Sequence, residues 1–319
     1  MTPAGEPQRG RADADDDGPL GTAGYAHPRY AAALSEFGTV VLLPRSGGSL
    51  LRRSIPGTDL SDLCGPYPLF ACADWAALGT DLAELEGAVS VVVVADPLGR
   101  HDEALLRDAF PDLVRPFKRH YVADLTVPLD RRLSPNHRRN LRKVPPDLRT
   151  ERVADPGTCL DDWARLYETL VARHEIRGIA AFSKASFEQQ FRVPGLRAWR
   201  AEIGGATVGM VLWYVAGTFA YYHLTAVAPD GYRARCVYPL LRHALEDLAA
   251  EGVLVAELGG AAGLDDDPSD GLAAFKQGWS TGTVVAHLCG RVLDRDAYDR
   301  LSQGRSAAAA AFFPAYRGR

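Results

Sequence analysis

At 319 residues with 47% apolar side chains, the chain is long enough for two ordinary cores, which excludes global disorder. A net charge of −4 argues against a surface that coats nucleic acid wholesale, and five scattered cysteines without a C-x-x-C pair suggest neither a zinc site nor a disulfide framework. Apolar runs such as 89–95 are far too short to span a membrane.

Residues 1–24 read as a disordered leader rich in Gly, Pro, Asp and Ala, without the apolar stretch of a signal peptide, so the expected location is the cytoplasm. A first structured unit follows over 25–130. Its β-branched segments 39–43, 89–95 and 121–127 predict strands, and 73–86 and 101–110 predict helices with Asp74 and Asp102 as caps. Residues 131–195 carry basic and linking helices. Ser134-Pro135 opens one in the usual way, a hydroxyl cap followed by proline at the first helical position, and that helix ends before Pro145-Pro146. Two more helical patterns span 159–174 and 183–191.

The last unit, 196–319, is patterned most clearly. Segments 197–203 and 207–215 alternate around Gly204-Gly205, a two-residue hairpin signal, and 219–227 supplies a third strand. A helix over 237–251, a strand over 253–258, a Gly259-Gly260 break, an acidic loop through Asp265, Asp266 and Asp267, a short helix carrying Lys276, and a strand over 283–288 complete it. The tail 307–311 reads as a terminal helix. The fold class is therefore α+β, with mixed sheets flanked by helices.

Between 131 and 152 the chain carries Arg131, Arg132, Arg138, Arg139, Arg142, Lys143, Arg149 and Arg152 against only Asp147 and Glu151. Arg138 with Arg142, and Arg139 with Lys143, stand four apart on one helix face, where like charges repel. An anionic partner such as tRNA would account for the arrangement, and a solvated face is the plainer alternative. On the strand 219–227, Tyr221, His223 and Thr225 share one face by the period of two, leaving Tyr222 to pack on the other. His223 is a candidate base for an amine proton, and Glu257 is a competing one; a core histidine and a paired carboxylate are the ordinary readings. Cys236 lacks the partners of a nucleophile.

Three stretches, taken in order, resemble the Fem-type aminoacyltransferases of the GNAT superfamily. They are Leu133-Ser134-Pro135-Asn136-His137-Arg138-Arg139-Asn140-Leu141-Arg142-Lys143, then Arg173-His174-Glu175-Ile176-Arg177-Gly178-Ile179-Ala180-Ala181-Phe182-Ser183, and finally Phe275-Lys276-Gln277-Gly278-Trp279. The resemblance covers about 30–300. It implies two GNAT-like domains, the second catalytic, and transfer of an aminoacyl group from aminoacyl-tRNA to an amine of a small molecule or peptide. The sequence carries no metal motif, so neither metal nor bound cofactor is expected, and the compact form without the coiled-coil arm of some members points to a specialised biosynthetic role. The resemblance places Lys276 at the transfer site, where it would stabilise developing negative charge, and Phe182, Ser183, Tyr221, Phe275 and Trp279 around the substrates. Arg138, Arg139, Arg142 and Lys143 would meet tRNA. GNAT enzymes that use acyl-CoA hold its pyrophosphate on a glycine-rich turn before a helix. The matching turn here, Gly231-Tyr232-Arg233-Ala234-Arg235-Cys236, has small residues where two glycines belong, so any phosphate would rely on backbone N–H groups and on Arg233 or Arg235. An acyl-CoA-dependent N-acyltransferase and a non-catalytic GNAT-like binding protein remain the alternatives.

Overall fold

The computed structural model describes residues 23–261, 271–304 and 312–318. The leader at 1–22, the acidic loop at Asp265–Asp267 and the tail helix at 307–311 lie outside the described residues. Residues 23 and 24, counted above with the leader, belong to the packed chain, and Gly24 is buried.

In chain order the helices are α1 (Pro28–Ala33), α2 (Leu78–Ala83), α3 (Glu103–Ala109), α4 (Leu129–Arg132), α5 (Pro135–Leu141), α6 (Leu160–His174), α7 (Lys184–Gln190), α8 (Pro229–Arg233), α9 (Val237–Ala250), α10 (Gly271–Gln277) and α11 (Arg295–Ser302). The strands are β1 (Thr39–Leu42), β2 (Ser49–Ser54), β3 (Ser61–Cys64), β4 (Ser90–Val94), β5 (Leu113–Asp124), β6 (Arg149–Val153), β7 (Leu196–Ile203), β8 (Ala206–Ala216), β9 (Phe219–Val227), β10 (Val255–Gly260) and β11 (Gly282–Val292). They form one mixed sheet of eleven strands in the order β1-β2-β3-β4-β11-β5-β10-β9-β8-β7-β6.

Local chemistry explains where several elements begin. Asp102 caps α3 by accepting from the Leu105 N–H, and Ser134 and Ser183 cap α5 and α7 in the same way. The Gly204-Gly205 hairpin has both residues at positive φ, as the tight turn between β7 and β8 requires. Asp74 binds the N–H groups of Ala76 and Ala77 in a turn, so α2 starts only at Leu78 and is shorter than predicted.

Along β8, Thr207 to Tyr214 are buried without interruption, because both faces of that strand are covered. On one face α9 packs over β6–β10, and α5 and α10 supply Leu141 and Phe275 to the same core. On the other, α6, α7 and α1 bury Trp163, Tyr167, Phe187 and Tyr30 against Met210, Leu212 and Tyr214. A third core joins α2 and α3 to β2–β4.

β5 is longer than its sequence signal and sits between β10 and β11, antiparallel to both. Its charged first half escapes an apolar-pattern search, yet it is fully laddered. Its ladder with β11 slips once, between Ala286 and His287, where His287 faces Pro116, the residue without an N–H. The sheet is thus continuous across residue 130.

Candidate active site

The parallel pairing of β9 with β10 runs Val255–Phe219, Ala256–Ala220, Glu257–Tyr221 and then stops. Beyond it the two strands part, and β10 bulges between Glu257 and Gly260. Gly259 adopts φ +77°, a region that favours glycine, and a Cβ there would lie 2.8 Å from the Lys276 ammonium. The bulge is held from two sides. Glu257 Oε1 accepts the Gly259 N–H, and Lys276 Nζ donates to the Gly260 carbonyl at 2.6 Å. Lys276 is buried, with its ammonium 5.9 Å from the centre of the Tyr222 ring.

The corner that presents Lys276 is locked to the basic helix. His137, buried in α5, shares a 2.7 Å bond with Ser134 Oγ and sits 2.9 Å from the Phe275 carbonyl. Its ring fills the space that a side chain at Gly278 would need, the nearest atom being 2.0 Å from a Cβ built there. Burial lowers its pKa, so the neutral ring is favoured there. Sequence reasoning quoted His137 but gave it no task. The exposed outer side of this helix end presents Arg138, Arg139, Arg142 and Lys143, and among the described residues none of them has a carboxylate partner. Arg149 and Arg152, counted in the same basic run, lie instead on edge strand β6, where Arg152 pairs with Glu251.

A buried polar cluster occupies the opposite face of the splay. Asp96, just past β4, accepts from the Tyr221 hydroxyl at 2.7 Å and from the Leu98 N–H at 2.9 Å. Burial raises its pKa from 3.8 to about 6, against the opposing pull of the Tyr221 bond. Glu257 lies 2.8 Å from His120 Nδ1. Asp96 escaped sequence reasoning. Its one available signal was a carboxylate directly after the apolar run 89–95, at the mouth of a sheet.

Several expectations need correction. His223 does not open onto the splay as a base. Tyr25 OH stands 3.0 Å from its Nδ1 and Gln190 Oε1 2.9 Å from its Nε2, and burial depresses its pKa to about 3. With both ring nitrogens engaged, no lone pair is left for an amine proton. His223 is also the extra residue of a bulge, since Leu224 pairs Leu212 while Tyr222 pairs Trp213. That bulge reverses the alternation, so Thr225 does not share a face with Tyr221; its hydroxyl donates to Tyr222 OH. Glu257 is buried and already bound. Phe182 and Trp279 are core residues, Phe182 among Tyr167, Phe187 and Phe37, and Trp279 against His137 and Phe275. Ser183 is a helix cap whose N–H reaches Glu36. Phe275 packs on His137 and Tyr238. Tyr221 is spent on Asp96. Cys236 is buried and its thiol is pushed up to about 12, which removes it as a nucleophile.

The turn that would cradle a pyrophosphate is closed on itself. The N–H groups of Tyr232, Ala234, Arg235, Cys236 and Tyr238 all bind carbonyls of the same segment. Arg233 pairs with Asp230, and Arg235 Nε reaches Asn140 Oδ1 at 3.2 Å. Thus Arg235 joins α5 rather than the turn's mouth. Beside α10, a cavity of about 530 Å³ is lined by Arg119, Tyr121, Ala274, Gln277, Thr281 and Thr283 among others. Among the described residues no helix is long and apolar enough to cross a membrane, and no cluster of His, Cys, Asp and Glu is arranged to hold a metal ion.

The sequence model of the acetyltransferase (GNAT) domain matches residues 130–277, the stretch that holds α5, the β7–β10 strands and Lys276. No curated protein sequence matches the chain. Among solved structures, FemX is similar over 85% of this chain and 92% of its own, at TM-score 0.62 and 14% identity. L-PGS from Bacillus licheniformis is similar over 93% of this chain and 99% of its own, at TM-score 0.56 and 14% identity. The C-terminal domain of a lysylphosphatidylglycerol synthetase from Agrobacterium fabrum follows at TM-score 0.53 and 18% identity, over 84% of this chain and 88% of its own. Residues 130–277 thus match the acetyltransferase (GNAT) domain model, in a chain whose fold is similar to that of FemX.

Proposed function

We propose that the protein transfers an aminoacyl group from aminoacyl-tRNA to an amine of a small molecule or peptide. The observation that carries this reading is the docking of a cationic helix end, Arg138 to Lys143, without a carboxylate partner among the described residues, onto the Lys276 corner through His137. Cations so placed beside a transfer site suit a polyanionic donor. The self-closed turn at 231–236 supports the same choice, since its amides are not free for a pyrophosphate.

In the reaction the neutral amine attacks the ester carbonyl. The C–N bond forms, the C–O bond to the ribose breaks, and the proton released by the amine balances the one taken up by the departing 3′-oxygen. Lys276 would steady the oxyanion, and its fixed position at the bulge means that little reorganisation is needed. The cavity along α10 offers room for the reacting ends.

Incubating the protein with charged tRNA and a panel of amines, read by mass spectrometry, tests the proposal. Charge reversal at Arg138 and Arg142 should abolish tRNA-dependent transfer. Transfer from acyl-CoA that survives this reversal, with none from charged tRNA in the wild type, would establish the CoA-dependent reading instead. If Lys276→Ala leaves every transfer untouched, the catalytic assignment fails in favour of a binding protein.

A further inference from the structure

Folding assembles a surface that no single stretch of sequence displays. Arg235 stands at φ +58°, a left-handed conformation that costs a non-glycine residue energy, and from there its guanidinium bonds Asn140 on α5. Just before it, the Tyr232 ring is 39% exposed and carries the Arg173 guanidinium from the end of α6 stacked over it at 4.2 Å. Three separate segments are therefore tied together: α5 with Arg138, Arg139, Arg142 and Lys143 through the Asn140–Arg235 bond, the 232–235 turn itself, and the end of α6 through Arg173 on Tyr232. Asp230, an acid in the same turn, is already paired with Arg233. Through Tyr238, whose ring lies 5.4 Å from Phe275, the start of α9 ties this surface to the Lys276 corner.

We infer that this surface binds single-stranded RNA, with Tyr232 as the stacking platform for one unpaired base next to the acceptor end of the tRNA. This rests on the aminoacyl-tRNA reading above and deepens it. An aromatic ring with a cation on it, in a turn bonded to a cationic helix, is the pairing that single strands require: a π-face for the base and positive charge for the backbone. A duplex has no splayed base to offer such a ring. Arginine in place of a strain-free glycine at 235 is accounted for by the charge it contributes to the surface.

The test uses the full chain and fluorescence anisotropy on two labelled acceptor-stem minihelices, one ending in a single-stranded ACCA tail and one blunt. The wild type should prefer the tailed RNA by about tenfold, the value of one base stack. Tyr232→Ala should erase that preference while leaving the blunt affinity unchanged. Arg235→Gly should weaken tailed binding and reduce its salt slope by about 0.7, the loss of one phosphate contact on a single strand, without lowering the urea midpoint, because glycine relieves the left-handed strain. A merely structural Arg235 would instead show a stability loss with unchanged RNA binding, and that overturns the inference. So does a Tyr232→Ala protein that keeps the tail preference, or one that loses CoA binding rather than RNA binding. If the wild type transfers from charged tRNA and Tyr232→Ala does so with unaltered KM, the platform falls and the aminoacyl-tRNA reading stands. If the wild type binds neither RNA, both fall.

Discussion

Replacing Gly259 by alanine probes how strictly the bulge sets the position of Lys276. Two effects separate cleanly. The backbone at φ +77° strains any L side chain, which costs about 1–2 kcal/mol of stability. The new methyl would also meet Lys276 Nζ at 2.8 Å, so the ammonium must retreat by about 0.6 Å to reach ordinary contact. Because that ammonium ends a flexible side chain, its retreat adds little to the stability loss but lengthens and weakens the 2.6 Å bond to the Gly260 carbonyl. A displacement of this size in a charge-stabilising group should lower kcat for transfer by about tenfold to a hundredfold. Gly252→Ala is the control. Its φ of +88° imposes the same kind of strain, yet nothing lies within 4 Å of the added methyl. Urea denaturation and single-turnover transfer of both variants give the answer. Equal stability losses with a kcat defect only in Gly259→Ala are expected. Equal losses with kcat intact in both would refute the claim that the bulge positions a functional lysine.

Two further predictions concern stability. The Asp96 carboxyl keeps its proton up to about pH 6 in the folded state, whereas the unfolded chain releases it near 3.8. The folded protein thus binds more protons across that window, so Asp96 favours folding fully below pH 3.8 and the benefit is lost as pH rises through 6. The two-unit difference corresponds to about 3 kcal/mol, and Asp96→Asn should flatten the fall in urea-derived stability between pH 4 and pH 6.5; a variant with the wild-type slope would contradict the assigned burial. At the other end of the molecule, Asp62 is fully buried and held by Arg53 at 3.2 Å, Arg317 at 2.5 Å and the Tyr316 hydroxyl at 3.2 Å. Arg317→Ala should cost about 2–3 kcal/mol in urea denaturation, since Arg53 compensates only part of the charge; a loss below about 0.5 kcal/mol would show the clasp to be incidental.

What was legible in the sequence was local. Ser134-Pro135, Asp102 and the Gly204-Gly205 turn announced their elements because each works through atoms a few residues away. The helix at 160–174 was long enough for its period to show. Short strands fared worse. β2 and β3 lack clean alternation, and β6 was concealed inside a run of arginines whose charge drew attention away from its pairing. The position of Lys276 at the strand splay could be read from its corner motif together with the preceding strands. Asp96 could not, since its meaning depends on Tyr221, which lies 125 positions away. His223 misled for a subtler reason: one bulged residue inverts the face of everything after it, and no local composition marks such a bulge.

The central place of β5 has a consequence for how the chain comes into being. Residues 113–124 leave the ribosome more than 130 positions before either neighbour, Val255–Gly260 or Gly282–Val292, has been made. Until then a nascent β5 has two bare edges in what will be the middle of the sheet, the situation in which strands recruit wrong partners. The separations being so large, ring closure must precede any reward from pairing, which slows folding. Splitting the gene near residue 130 would therefore not yield two independent proteins but two fragments, each lacking the other's ladder. The strand in the middle makes the two ends of this chain one inheritance.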